Sequence, residues 1–157
     1  MGVAMSDEEA WDFIARSHTG ILTTLRRDGW PVALPLWFAV DDRRIYIATP
    51  VHARKLRRIA NDDRGSFLVE AGERWAELAA VHLPVRARIL DPEHDEDEMT
   101  TASQRLTEKY PDLQSRSKQM PEASRNHYRS QRLVRLVPAG PPLSWDNAKI
   151  RPRRGGR

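Results

Sequence analysis

The chain contains no cysteine, which excludes disulfides, thiolate metal sites and cysteine nucleophiles in one step. Long apolar runs are missing too, and none approaches the ~20 residues that a membrane-spanning helix needs. The opening residues, MGVAMSDEEAW, carry acid where a secretory leader would carry basic residues followed by an apolar stretch, so a cytoplasmic protein is expected. There is no GxGxxG, no Walker loop and no internal repeat. Ser17 and His18 are adjacent, but nothing else in the sequence completes a hydrolase triad. His52, His82 and His127 are scattered without ligand spacing, so neither a metal site nor a catalytic side chain is assigned. Lysine is scarce: among 26 basic residues only Lys55, Lys109, Lys118 and Lys149 are lysine. That bias toward arginine reflects composition and marks no site.

What is present suits a globular chain with 39% hydrophobic and 31% charged residues. Residues 1–150 read as one domain. Residues 151–157 (RPRRGGR) lack apolar periodicity and are expected to form a disordered, Arg-rich tail. The net charge is +4, much of it at that end, where an electrostatic touch on nucleic acid and a simple solubilising role are both open.

Ser6 with Glu9 forms a capping box, and Ala10, Trp11, Phe13 and Ile14 supply the buried stripe of a first helix ending near Ser17–His18. Ile21–Arg26 reads as a strand, and Arg27-Asp28-Gly29 as a hairpin turn, because Asp-Gly readily adopts φ > 0. Pro31–Val40 alternates, with Val32, Leu34, Leu36, Phe38 and Val40 on one face. Pro35 within it predicts an edge or a bulge, since proline cannot donate to a ladder. Asp41-Asp42 turns the chain into a third strand, Arg44–Ala48. Further strands are predicted over Ser66–Ala71, Trp75–Leu90 with a bend near Pro84, and Gln131–Pro138. Asp91-Pro92 begins an acidic helix running from Glu93 to Tyr110, whose EHDEDE start suits the positive end of the helix dipole. A mostly helical stretch is expected onward to Arg129.

The most informative segment is ATPVHARKLRRIANDDRG, Ala48–Gly65. Thr49 reads as a helix N-cap and Pro50 as the first helical residue. Beyond them Arg54, Lys55, Arg57 and Arg58 interleave with Ala53, Leu56, Ile59 and Ala60, so one face packs and the other carries four cations. Cations near a helix N-terminus oppose its dipole, and a bound phosphate reverses that penalty. A solvated basic face is the alternative. Together these elements predict a mainly β (α+β) fold: a small barrel of about six antiparallel strands with flanking helices.

In its order of features, Gly20–Leu78 resembles the pyridoxamine 5′-phosphate oxidase-like superfamily of split β-barrels. The features are a strand, an Asp-Gly turn, a Pro-x-Trp-Phe strand, a strand ending in Thr, an Arg-Lys helix, Asn-Asp-Asp-Arg and a strand. LSWDNAKI (Leu143–Ile150) is similar to C-terminal segments of some members. The resemblance implies a homodimer that binds FMN or the deazaflavin coenzyme F-420 at its interface, with the phosphate held by Arg54, Lys55 and the strand end at Thr49. It also implies that Pro35, Leu36 and Trp37 run along the ring system, and that Trp75 and Trp145 stack on it or wall it. Arg58, with Arg57 and Arg26, would serve a longer anionic tail. Packing alone is the other reading of each tryptophan.

The chain departs from pyridoxamine phosphate oxidase itself. Ala53 stands where those enzymes carry a phosphate-binding Ser, and Ala33, Leu34 and Pro35 replace basic residues of the second strand. The broader flavin and deazaflavin oxidoreductases are the better match, acting on a small organic substrate. Two alternatives remain from other classes. One is a non-catalytic flavin or haem carrier or sensor of the same fold. The other is a nucleic-acid-binding module, against which stands the lack of stacking aromatics within ARKLRR.

Overall fold

Ser6 and Glu9 cap the first helix reciprocally. The Glu9 N–H donates to Ser6 Oγ at 3.2 Å and the Ser6 N–H to the Glu9 carboxylate at 2.7 Å, satisfying two donors that a helix start leaves open. This helix, α1 (Asp7–Arg16), buries Ala10, Trp11, Phe13 and Ile14 as their spacing requires. The computed structural model describes residues 3–113, 119–128 and 130–150. The Arg-rich tail at 151–157 and part of the stretch leading to Arg129 lie outside the described residues.

Strands β1 (Gly20–Leu25) and β2 (Pro31–Leu36) pair across the expected turn, in which Gly29 takes φ +80° and Asp28 accepts the Trp30 N–H at 3.1 Å. The single strand expected over Pro31–Val40 is divided. It stops at Leu36, and β3 (Ala39–Asp41) resumes on the opposite edge of the sheet. The break lies at Trp37-Phe38, where the two rings part. Phe38 enters the core edge-on to Phe67 at 4.8 Å, while Trp37 stacks on Tyr110 at 4.5 Å. A tight hairpin with positive φ at Asp42 and Arg43 then leads into β4 (Arg44–Pro50).

Helix α2 (Arg54–Asn61), β5 (Arg64–Ala71) and β6 (Ala79–Ile89) follow. After them come α3 (Glu96–Lys109), α4 (Glu122–Tyr128), β7 (Gln131–Pro138) and β8 (Leu143–Asp146). The strand order is β2-β1-β5-β6-β7-β4-β3, antiparallel throughout, with β8 added to β6. Flat, seven strands would hold the outer two about 29 Å apart. Three peptide steps from Leu36 to Ala39 reach no more than about 11 Å. The sheet therefore curls into an open half-barrel, the expected split barrel, with eight strands among the described residues where about six were predicted.

Pro35 lies on edge strand β2, as its missing N–H demands. Pro84 sits mid-strand, at the junction where β6 passes from β8 (Ala79–His82) to β7 (Val85–Ile89). Its carbonyl accepts the Ala139 N–H at 2.8 Å, so its absent donor faces the gap between the two partners. The strand predicted from Trp75 starts only at Ala79. Gly72, at φ +100°, reverses the chain, and Trp75–Glu77 forms a 3-10 turn.

Leu22, Phe38, Ile47, Phe67, Val81, Leu83 and Leu136 fill the barrel, closed by apolar residues of α1 and α2. A second cluster, including Tyr46, Leu106, Tyr110 and Leu133, lies under α3. Glu98 fastens that helix, accepting from the Tyr46 hydroxyl at 2.8 Å and from Arg135 at 3.0 Å. Burial and the neighbouring Glu98 push the Tyr46 hydroxyl up to about 12. Helix α3 starts at Glu96, later than Glu93, because the Asp95 carboxylate takes the Asp91 N–H and Arg88. On the outer face a cross-strand row, Pro35–Ile21–Leu68–His82–Leu143, is half-buried at its centre and open at both ends. Among the described residues no helix is long and apolar enough to cross a membrane.

Candidate functional site

The basic helix begins four residues later than its local signal suggests. Thr49 and Pro50 do not start α2; they extend β4 by pairing with Arg132 and Gln131. A turn follows, closed by the Ala53 N–H on the Pro50 carbonyl at 2.9 Å, and the helix starts at Arg54. Long-range pairing thus overrides a Thr-Pro sequence that would serve a helix start equally well. Ala53 at the N-cap offers no side-chain acceptor, and the first turn carries no acid, so the helix start lacks compensation from its own chain.

Leu56 and Ile59 anchor α2 in the barrel, which directs Arg54, Lys55, Arg57 and Arg58 to the remaining surface. Lys55 and Arg58 are half-buried, and Arg54 and Arg57 are exposed. None of the four forms an ion pair among the described residues, whereas Arg64, Arg86, Arg88, Arg105 and Arg135 all do. Burial, and then the charge of Arg58, lowers the Lys55 ammonium from its ordinary range; burial, and then Arg54, does the same to Arg58. The cluster is therefore cationic, partly desolvated and self-repelling, and an anion at this helix start relieves all three conditions.

Thr49 adds a second observation. It is 1% exposed, and its Oγ1 is buried without a hydrogen-bond partner. A hydroxyl left in that state costs about 1–3 kcal/mol. Sequence reasoning missed Thr24, whose Oγ1 accepts Arg58 Nε at 2.7 Å and so fixes the guanidinium against β1. The available signal was a polar residue on the inward-facing side of an otherwise apolar strand.

The remaining predicted residues lie elsewhere. Pro35 and Leu36 form the lower end of β2, opposite Ile21 and Gly20. The Trp37 ring is occupied by Tyr110, with His18 edge-on at 5.5 Å. Trp75 and Trp145 are 66% and 39% exposed, in elements linked by the Asn147 side-chain amide, which donates to the Trp75 carbonyl at 2.7 Å. Trp145 stands opposite Ala80, whereas the chain leaving α2 meets β6 at Ala87, whose N–H bonds the Asp63 carbonyl. Those two points are separated by about 23 Å of strand. Within one chain, then, Arg54, Lys55 and Arg58 come together near the Thr49 strand end, and the two tryptophans do not join them.

A family model described as pyridoxamine 5′-phosphate oxidase matches residues 6–131. The chain belongs to the pyridoxamine 5′-phosphate oxidase family. Among solved structures, this family member is similar to the conserved hypothetical protein Rv2991 from Mycobacterium tuberculosis, at 26% identity and a TM-score of 0.75, over 97% of this chain and 93% of that one. It is also similar to the FAD binding protein from Mycobacterium smegmatis, at 18% identity and TM-score 0.63, covering 91% and 98% of the two chains. The heme storage protein HutZ from Vibrio cholerae shares the fold at 14% identity and TM-score 0.68, over 92% and 96%. No curated protein matches the chain. The pyridoxamine 5′-phosphate oxidase fold is one associated with flavin-binding proteins.

Proposed function

We propose that the protein is an oxidoreductase of the flavin- and deazaflavin-dependent branch of this family. In this reading it holds FMN or coenzyme F-420 at a homodimer interface and transfers hydride to or from a small organic substrate. The observation that carries the reading is α2, a helix start without cap or acid that bears four cations unpaired among the described residues. The cofactor supplies the hydride chemistry, and the protein binds it, orients it and excludes water.

Lys55 and Arg54 take the phosphate, and the orphaned Thr49 hydroxyl is the polar group nearest in sequence to complete that hold. Arg58 is pre-oriented by Thr24, which lowers the ordering cost of engaging a second anionic group. β2 is an edge strand, so one side of its backbone, from Pro35 to Leu36, faces away from β1 and offers polar groups to a ring. Trp75 and Trp145 are too far along β6 to wall a ligand held by α2 of the same chain, and a second subunit brings them within reach. The half-buried outer row from Pro35 to Leu143 supplies apolar surface for that contact. No side chain is assigned as general acid or base.

Lys55→Ala tests the site. A hydrogen bond to a charged group contributes ~1.5–3 kcal/mol, so FMN or coenzyme F-420, whichever binds, should bind roughly ten- to a hundred-fold more weakly. Stability without ligand should hold or rise slightly, because a desolvated cation among cations is removed. Equal affinities in wild type and variant, by calorimetric titration of both cofactors, would reduce α2 to a solvated basic face.

A further inference from the structure

One end of the barrel is strongly basic, and much of that surface takes no part in the phosphate hold proposed above. Thr24 pairs with Gly65, the second residue of β5, so helix α2 and the tip of the β1–β2 hairpin share this end. Leu56 and Ile59 point into the barrel. The stripe opposite them carries Arg54, Arg57 and Arg58, at i, i+3 and i+4, and faces outward. The nearest acids along the chain, Asp62 and Asp63, are taken by Arg64 and Arg86, so they leave this stripe uncompensated.

The hairpin tip projects beside that stripe. At Gly29 an added Cβ would meet no atom within 4 Å. Asp28 holds the turn, accepting the Trp30 N–H at 3.1 Å and the Arg26 guanidinium at 2.8 Å. With Asp28 taken, Arg27 is exposed and forms no ion pair among the described residues. The Arg26 N–H donates to the Trp30 carbonyl at 2.9 Å, so Trp30 continues the face shared by Thr24 and Val32. On that same face Arg58 meets β1 through Thr24. Trp30 is 67% exposed, and Leu34, two steps along the face, is 47% exposed.

We propose that this end of the barrel docks on the surface of an anionic lipid bilayer, with the Trp30 indole at headgroup level and Arg27 and Arg57 against the lipid phosphates. Charge complementarity carries the proposal. Arg27 and the four cations of α2 make five without an ion pair among the described residues, and clusters of about that size hold proteins on anionic lipid. Charge alone would suit nucleic acid equally well, and the apolar residues decide. Single strands are held by successive aromatic rings, whereas Trp30 is a lone ring whose neighbours on its face, Val32 and Leu34, are aliphatic. An indole beside aliphatic side chains and arginines matches the chemistry of a membrane interface. Trp30, Arg27 and Arg57 lie outside the proposed phosphate hold, so docking and cofactor binding can be lost separately.

Co-sedimentation of the full chain with lipid vesicles decides it. Vesicles of equal parts phosphatidylglycerol and phosphatidylcholine should carry the protein down at low salt and release it as salt rises, and phosphatidylcholine alone should not bind it. Trp30→Ala should weaken partitioning roughly tenfold, while Trp30→Phe keeps most of it. Arg27→Gln combined with Arg57→Gln should weaken it roughly twentyfold, about fivefold for each cation. The replaced side chains are exposed, so the urea midpoint should not move. No partitioning of wild type into the anionic vesicles, or partitioning that survives Trp30→Ala unchanged, overturns the proposal. Tighter, Trp30-dependent binding to single-stranded oligothymidylate overturns it in favour of nucleic acid. A weaker cofactor titration for Lys55→Ala beside any of these results leaves the phosphate site standing.

Discussion

Replacing Lys109 with methionine probes a charge that the barrel wall encloses. Lys109 ends α3 with its Nζ 3.7 Å from the centre of the Phe38 ring. That nitrogen is closed off from solvent and has no hydrogen-bond partner among the described residues. Burial brings the ammonium from its ordinary 10.5 down to about 8. Between those two values the unfolded chain holds a proton that the folded chain has released, so stability rises with pH across the window. Below pH 8 the whole penalty is present. A shift of this size corresponds to roughly 3 kcal/mol. The lysine stem stands half in solvent, and screening cuts the figure to about 1.5–2 kcal/mol. The ring face returns about 0.5–1 kcal/mol of that. Lys109→Met keeps the length of the stem and drops the charge, so it should stabilise the protein by ~1 kcal/mol at pH 7. The assay is urea unfolding followed by tryptophan fluorescence at fixed protein concentration, from pH 7 to 10, for both proteins. The advantage of the variant should shrink as the pH passes 8. A variant less stable than wild type at pH 7, or a difference that stays constant to pH 10, refutes the reasoning.

Tyr110→Phe removes a hydroxyl that lies 2.6 Å from the His18 carbonyl and 2.9 Å from that of Phe38, and that accepts the Phe38 N–H at 3.0 Å. The buried groups left behind should cost about 1–3 kcal/mol, seen as a lower urea midpoint, and an unchanged midpoint would show that they find other partners. Sedimentation at micromolar concentration should give a homodimer. A monomer that retains full cofactor affinity removes the partner subunit from the site.

Where the sequence misled, the deciding interaction was distant in the chain. Pro31–Val40 keeps its apolar alternation straight through Trp37-Phe38, and nothing local shows that the chain there passes from one sheet edge to the other. Thr49-Pro50 satisfies the rules for a helix start and becomes strand only because Gln131 and Arg132 lie alongside. Leu143–Asp146 is too short to read as a strand by pattern, and forms because β6 has a free edge below Pro84. Local chemistry, by contrast, was legible: the Ser6–Glu9 box, the Asp28-Gly29 turn and the cation-bearing face of α2 all stand where their residues place them. The grouping of Arg54, Lys55 and Arg58 followed from helical spacing. The anchoring of Arg58 by Thr24 did not, because it joins a helix to a strand thirty-four residues earlier.

The pairing of β4 with β7 also has a consequence for biosynthesis. Ile45 finds its partner in Leu136, and Pro50 in Gln131, so one whole side of β4 has nothing to bond until residues 131–136 have been made. Contacts of such separation carry a large loop-closure cost before they return anything, and they slow folding. During translation the chain emerges with open strand edges on both β4 and the upper half of β6, each waiting for the same late segment, and open edges of this kind invite pairing with other nascent chains. Helix α2 hangs from the end of β4, so the cationic surface takes its final position only when the last long strand closes the sheet.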